Sequence, residues 1–86
     1  MHDTFLNERI YESLIRLSNE NGISRLRRVN IAVNTDSHIT ENSLRDHFSD
    51  RGSKLIGDWT EITVEKRDVG KLNAVINSIE GESPDE

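Results

Sequence analysis

The sequence predicts an α+β domain, because it contains two segments with the periodicity of helices and two with the periodicity of strands. Apolar residues recur every three or four positions after Thr4 and after Thr40, whereas they alternate with other residues over 29–34 and 60–66. With 86 residues, the chain can build one small hydrophobic core and is too short for two. A single domain is therefore expected.

The first helix is expected to begin near Thr4 and to end at Asn21-Gly22. Its apolar stripe is Leu6, Ile10, Leu14 and Leu17, broadened by Phe5, Tyr11 and Ile15. Gly22 suits the left-handed conformation that commonly follows a helix.

The first strand and the second helix follow in turn. The buried positions of the strand are Val29, Ile31 and Val33. A loop over residues 34–38 leads to Thr40, a suitable N-cap for the helix. Ile39 and Leu44 have the spacing of a hydrophobic staple, and Phe48 extends the apolar stripe. The helix is expected to end at Gly52 or Gly57.

The second strand, over residues 60–66, carries Ile62 and Val64 on its buried face. Residues 71–80 are ambiguous. Their apolar residues have helical spacing, whereas Asp68-Val69-Gly70 suits a hairpin turn into a third strand. Periodicity alone favours the helix.

Composition limits the classes of function. The formal net charge is -5 and there is no cysteine, which argues against phosphate-backbone binding and excludes disulfides, thiolate zinc sites and cysteine nucleophiles. No apolar run is long enough to span a bilayer, and no signal peptide is recognisable, so a cytoplasmic protein is expected. No Gly-rich phosphate loop or nucleophile motif points to catalysis. Residues 81–86 are small and acidic and predict a disordered tail.

Met1, His2 and Asp3 form a candidate metal claw. The α-amine, a backbone amide and the His2 ring together suit the square-planar nitrogen geometry of Ni(II) or Cu(II). Because Asp3 or Thr4 is the expected N-cap, Met1 and His2 lie just outside the first helix. Asp3 is interpreted either as a weak ligand, as a hydrogen-bond acceptor for the ring, or simply as the cap. Nickel affinity should fall as the pH drops through the ordinary imidazole pKa of about 6.5.

Several segments together carry a family resemblance. They read MHD at residues 1–3, NG at 21–22, VNIAV at 29–33 and TENSL at 40–44, followed by Phe48. In this order they resemble the HypA family of hydrogenase-maturation nickel chaperones, through about residue 68. Residues 60–66 resemble the strand that leads into the zinc module of that family.

The chain also departs from the family. The two cysteine pairs of the zinc module are absent, and residues 76–80 resemble the strand that returns after it. The resemblance therefore implies a hairpin in place of the module. It gives one domain over residues 1–80, with two helices packed on one face of a three-stranded mixed sheet in the order α-β-α-β-β. Asp3 replaces the usual glutamate, and Asn34 replaces a glycine.

The resemblance implies a metallochaperone rather than an enzyme. It would bind Ni(II) through Met1, His2 and Asp3, without zinc, for a nickel enzyme such as a hydrogenase. The implied partner is a nickel-insertion GTPase or another hydrogenase or urease maturation protein, and neither nucleic acid nor membrane is an expected partner. A metal-free interaction or regulatory domain on the same scaffold is the alternative, and a homodimer formed through a free sheet edge is a third hypothesis.

The other candidate residues are interpreted mainly as structural. His38 and His47 could complete a three-histidine site with His2, but independent solvated side chains are favoured. Solvated helix faces are likewise the preferred interpretation of the pairs Asp46/Asp50 and Glu8/Glu12. Arg25, Arg27 and Arg28 predict a solvated edge. Trp59 is expected to be a half-buried core anchor rather than an exposed partner contact.

Overall fold

The computed structural model of the protein describes residues 4–52, 54–70 and 73–83. Two helices and three strands follow one another in the predicted α-β-α-β-β order. They are α1 (Thr4–Glu20), β1 (Arg25–Asn34), α2 (Glu41–Arg51), β2 (Glu61–Arg67) and β3 (Ala74–Glu82). The predicted α+β class and the small mixed sheet are confirmed.

The first helix follows its predicted pattern except at Phe5, which was expected to broaden the apolar face but has a side chain that is 66% exposed. Leu6, Ile10 and Leu14 are buried, together with Tyr11. The helix ends where the Asn-Gly pair predicted, because Gly22 adopts a left-handed φ of 68°, which a residue with a Cβ rarely adopts.

The second helix begins with a complete capping box. Ser43 N donates to Thr40 Oγ1 over 3.1 Å, and Thr40 N donates back to Ser43 Oγ over 3.0 Å. The predicted staple residues, Ile39 and Leu44, are both buried beside this cap. Of the two predicted end points, Gly52 is the observed one, with φ at 67°.

The sheet order is β2-β1-β3, with β1 parallel to β2 and antiparallel to β3. The predicted third strand is therefore confirmed, but the predicted hairpin between β2 and β3 is wrong. The most apolar strand, β1, takes the central position, where its apolar residues contribute most to the core. The crossover through α2 makes the β1–β2 pair parallel.

A β-bulge explains why β3 resembled a helix in sequence. The pairing with β1 shifts between Ser78 and Ile76, so that Asn77 is an extra residue. Ile76 and Ile79 consequently both pack against the core although they are three residues apart. Val75, which a helix would bury beside Ile76, is 45% exposed.

The third strand also extends into the segment predicted as a disordered tail. Gly81 and Glu82 belong to β3, Ser24 N donates to Glu82 O over 2.8 Å, and Arg27 forms an ion pair with the Glu82 side chain at 2.8 Å. The acidic composition suggested disorder, but pairing with β1 orders this part of the segment. Residues 84–86 lie outside the described residues.

The buried apolar side chains form a cluster between the helices and one face of the sheet. β1 contributes Val29, Ile31 and Val33 to it, as predicted. The opposite face of the sheet is mainly polar and carries Arg28, Asn30, Ala32 and their cross-strand neighbours, which include Val75. Within the described ranges, neither helix is long and apolar enough to cross a membrane.

Candidate functional site

The predicted metal ligands Met1, His2 and Asp3 all lie outside the described residues. The structure does describe the helix that begins immediately after them, at Thr4. Around its first two turns, Leu6 and Asn7 are buried, whereas the Phe5 side chain is 66% exposed and lies beneath the Arg9 guanidinium. These turns are the base to which the N-terminal tripeptide is attached.

Asn7 is an unusual residue for a buried helix face. It is 7% exposed, and its Oδ1 receives no hydrogen bond from any described residue. The only comparable atom in the described part of the chain is Ser18 Oγ, near the other end of α1. Leaving a buried acceptor unpaired costs about 1–3 kcal/mol. Sequence reasoning did not single out Asn7, although an amide within an apolar stripe is a detectable signal.

The N-terminal half of α1 is fixed to α2 by a polar contact. His47 Nε2 lies 2.7 Å from Glu8 Oε1, and Arg51 Nη1 lies 3.2 Å from Glu8 Oε2. The side chains of Glu8 and His47 are only 27% and 16% exposed. The predictions that His47 is an independent solvated side chain and that Glu8 is an ordinary surface charge are therefore wrong.

Aromatic rings surround this interhelical contact. The Tyr11 ring lies 5.5 Å from that of Phe48 and 6.3 Å from that of His47, and the Arg51 guanidinium lies 5.1 Å from the Tyr11 centroid. The apolar faces of both helices extend as far as these rings. The Glu8 carboxylate and the His47 imidazole therefore meet in a partly shielded position. The contact holds the start of α1 in a defined place on the domain.

The remaining histidine and the helical aspartates lie at the surface. His38 is exposed in the loop before α2, and Asp46 and Asp50 are exposed on α2, in agreement with their interpretation as solvated side chains. Within residues 4–52, 54–70 and 73–83, no group of three or more His, Asp or Glu side chains could hold a metal ion.

The three arginines around the start of β1 each have a local partner. Arg27 pairs with Glu82, and Arg28 lies 3.3 Å from Glu61 and 3.6 Å from Glu80. Arg25 stacks over Trp59 at 4.7 Å from the ring centroid. Trp59 is 40% exposed and does not belong to the core cluster, so its predicted role as a core anchor is wrong. Its ring packs beneath a cation at the domain surface.

A hydrogen-bond network crosses the polar face of the sheet. Asn77 Nδ2 donates to Asn30 Oδ1 over 2.9 Å, and Asn30 Nδ2 donates to Glu65 Oε2 over 2.8 Å. The hydrogen bond from Asn30, and then the hydrogen bond and charge of Arg67, lower the pKa of the Glu65 carboxyl below its ordinary value. These side chains therefore satisfy one another's hydrogen-bonding groups.

A shallow groove lies between α1 and β3. It is lined by Leu6, Arg9, Ile10 and Ser13 of the helix and by residues 73–76. Exposed Phe5 lies beside it through its contact with Arg9, and Val75 forms part of its wall. The groove therefore brings apolar surface to the same end of α1 as the N-terminal tripeptide.

No protein-family model matches the sequence, and no curated protein is significantly similar to it.

Proposed function

We propose that this protein is a nickel-binding accessory protein, similar to the HypA metallochaperones but without their zinc module. Ni(II) is its cargo, bound by the Met1 amine, backbone nitrogen and the His2 ring, with Asp3 as a tuning or capping carboxylate. A cytoplasmic location and delivery to a nickel enzyme or its GTPase partner belong to the same proposal.

One observation carries most weight beside the sequence resemblance. The helix that follows the tripeptide begins at Thr4, and Glu8 fixes its second turn to α2 through His47 and Arg51. A short peptide claw gains affinity when its attachment point is held in place, because less conformational entropy is lost on binding. The net charge of -5 also favours the approach of a divalent cation.

The test is a calorimetric titration of Ni(II) into untagged protein that begins at Met1, at neutral pH. The wild-type chain should bind one equivalent, and His2→Ala should lose this binding. His38→Ala is the matched control, because His38 is exposed in a loop, and it should bind like the wild type. Equal binding by His2→Ala and the wild type would contradict the proposal.

The second candidate is a metal-free interaction domain. The groove between α1 and β3 favours it, because Leu6, Ile10 and Ile76 contribute apolar side chains to its lining, and Phe5, which contacts the lining residue Arg9, is 66% exposed. Absence of nickel binding by the wild-type chain, together with loss of partner binding in a Phe5→Ser variant, would support this candidate over the first.

A further inference from the structure

Each edge of the sheet is formed by a strand that pairs on one side only. Within the described ranges, β1 lies between β2 and β3, and no further strand pairs with the outer side of either. An edge strand presents unpaired backbone donors and acceptors, so it can pair with a strand of another chain. The two edges differ in regularity and in charge.

The β3 edge is poorly suited to pairing with a second copy of itself. The register of β3 shifts at Asn77, and a bulge of this kind bends an edge and disrupts further pairing. The charged residues of β3 are Glu80 and Glu82, and the strand contains no lysine or arginine. Self-pairing of β3 therefore brings no opposite charges together.

The β2 edge is regular and carries charges of both signs. Its seven residues pair with β1 without a register shift. Because Ile62 and Val64 pair with core residues of β1, the alternate residues of β2 lie on the polar face of the sheet. These residues are Glu61, Thr63, Glu65 and Arg67. An acidic residue therefore begins this row, and a basic residue ends it.

Antiparallel pairing of β2 with β2 of a second copy matches these charges in one register. In a two-fold symmetric pair that continues the sheet, each residue faces a residue on the same side of the sheet. With the axis at Val64, all seven residues pair, and Glu61 of each copy faces Arg67 of the other. An axis at Thr63 would oppose Glu61 to Glu65, and an axis at Glu65 would oppose that residue to itself. Like charges directly opposite each other destabilise a sheet, so the register at Val64 is favoured.

The core face of β2 supplies apolar surface for the same pairing. A groove lies between this edge and the start of α2, and Ile39, Ile62 and Val64 contribute apolar side chains to its lining. Lys66 also lines the groove, and its ammonium donates to the carbonyl oxygens of Ser37 and Ile39 in its own chain. Val64 is partly exposed. Pairing centred on Val64 places the two Val64 side chains opposite each other, so each covers the other.

We propose that two copies of this protein associate through β2, antiparallel and centred on Val64. The two three-stranded sheets then form one continuous sheet, with the helices of both copies on the same face. A single strand pair is a small interface, so we expect a dimer that dissociates on dilution.

Sedimentation equilibrium of metal-free protein, from about 1 µM to 1 mM, measures this association independently of nickel binding. The wild type should change from monomer to dimer within this range. Glu61→Arg alone, or Arg67→Glu alone, places like charges opposite each other at both ends of the strand pair and should weaken the dimer by at least about tenfold. Both changes together restore opposite charges and should return the dissociation constant to within about threefold of the wild type.

Glu80→Arg is the matched control for Glu61→Arg. Glu80 and Glu61 both contact the Arg28 guanidinium, at 3.6 and 3.3 Å, so the two variants change the net charge equally and lose the same partner. Because Glu80 lies on β3, its variant should not weaken the dimer. Thermal melts at low concentration verify the monomer fold of each variant.

A wild type that stays monomeric up to the highest concentration would overturn the proposal and would favour a strand of a different protein as the occupant of this edge. A dimer that neither single variant weakens would place the interface elsewhere. A double variant that associates no more tightly than the single variants would contradict the register centred on Val64.

Discussion

Two glutamates one turn apart on α1 should differ sharply in their contribution to stability. Glu8 contacts His47 at 2.7 Å and Arg51 at 3.2 Å. Glu12 is exposed and forms no ion pair within the described part of the chain. Glu8→Ala should therefore destabilise the protein, and Glu12→Ala is its matched control.

The expected magnitude follows from the exposure of the groups. A hydrogen bond to a charged group contributes about 1.5–3 kcal/mol when shielded, and exposed ion pairs contribute less than about 1 kcal/mol. The side chains of Glu8, His47 and Arg51 are 27%, 16% and 48% exposed. The contact therefore lies between a shielded hydrogen bond and an exposed ion pair. We expect Glu8→Ala to cost about 1.5 kcal/mol and Glu12→Ala less than about 0.5 kcal/mol. The first cost corresponds to a Tm lower by about 6–12 °C.

Urea denaturation followed by circular dichroism measures both free energies of unfolding. A double-mutant cycle with His47→Ala isolates the pair, and a coupling energy of about 1 kcal/mol is expected. If Glu8→Ala is as mild as Glu12→Ala, or if the cycle shows no coupling, the interhelical contact does not hold α1 in solution.

Three other substitutions test the fold. Thr40→Ala removes the capping hydrogen bond and should cost about 1 kcal/mol of unfolding free energy, whereas Thr40→Ser should retain most of it. Gly81→Ala should destabilise by about 1–3 kcal/mol in thermal melts, because a Cβ would lie 2.6 Å from the Arg25 carbonyl oxygen; a disordered tail would show no change. The lowered pKa of Glu65 means that its ionised form stabilises the native state above the unfolded pKa of about 4.3. This contribution is lost as the pH falls through the lower pKa of the folded state, so Glu65→Gln should lose less stability than the wild type on acidification. If the free energies of unfolding of both proteins fall in parallel with pH, the lowered pKa of Glu65 is contradicted.

Local sequence patterns sufficed for the elements whose signals are local. The Asn21-Gly22 pair predicted the end of α1, and Thr40 with Ile39 and Leu44 predicted the start of α2. These signals depend on residues within one or two helical turns. They are therefore readable without knowledge of the tertiary structure.

Long-range features could not be read in the same way. The position of β1 between the other strands depends on pairing between residues far apart in sequence, and the bulge at Asn77 gave Ile76 and Ile79 a helical spacing. The contact between Glu8 and His47 joins two helices. The sequence did contain one signal for this contact. Glu8 lies one helical turn before Tyr11 and His47 directly precedes Phe48, so each residue neighbours an aromatic side chain at the edge of an apolar helix face.

The most direct test of the nickel proposal changes the position of the amine without altering any side chain. One glycine is added before Met1, and the wild-type and extended proteins are titrated with Ni(II) after their thermal melts are shown to coincide. We expect the wild type to bind one equivalent of nickel and the extended protein to bind it far more weakly, because the added glycine displaces the amine and the first amide from His2. Equal binding by both proteins would contradict the N-terminal site.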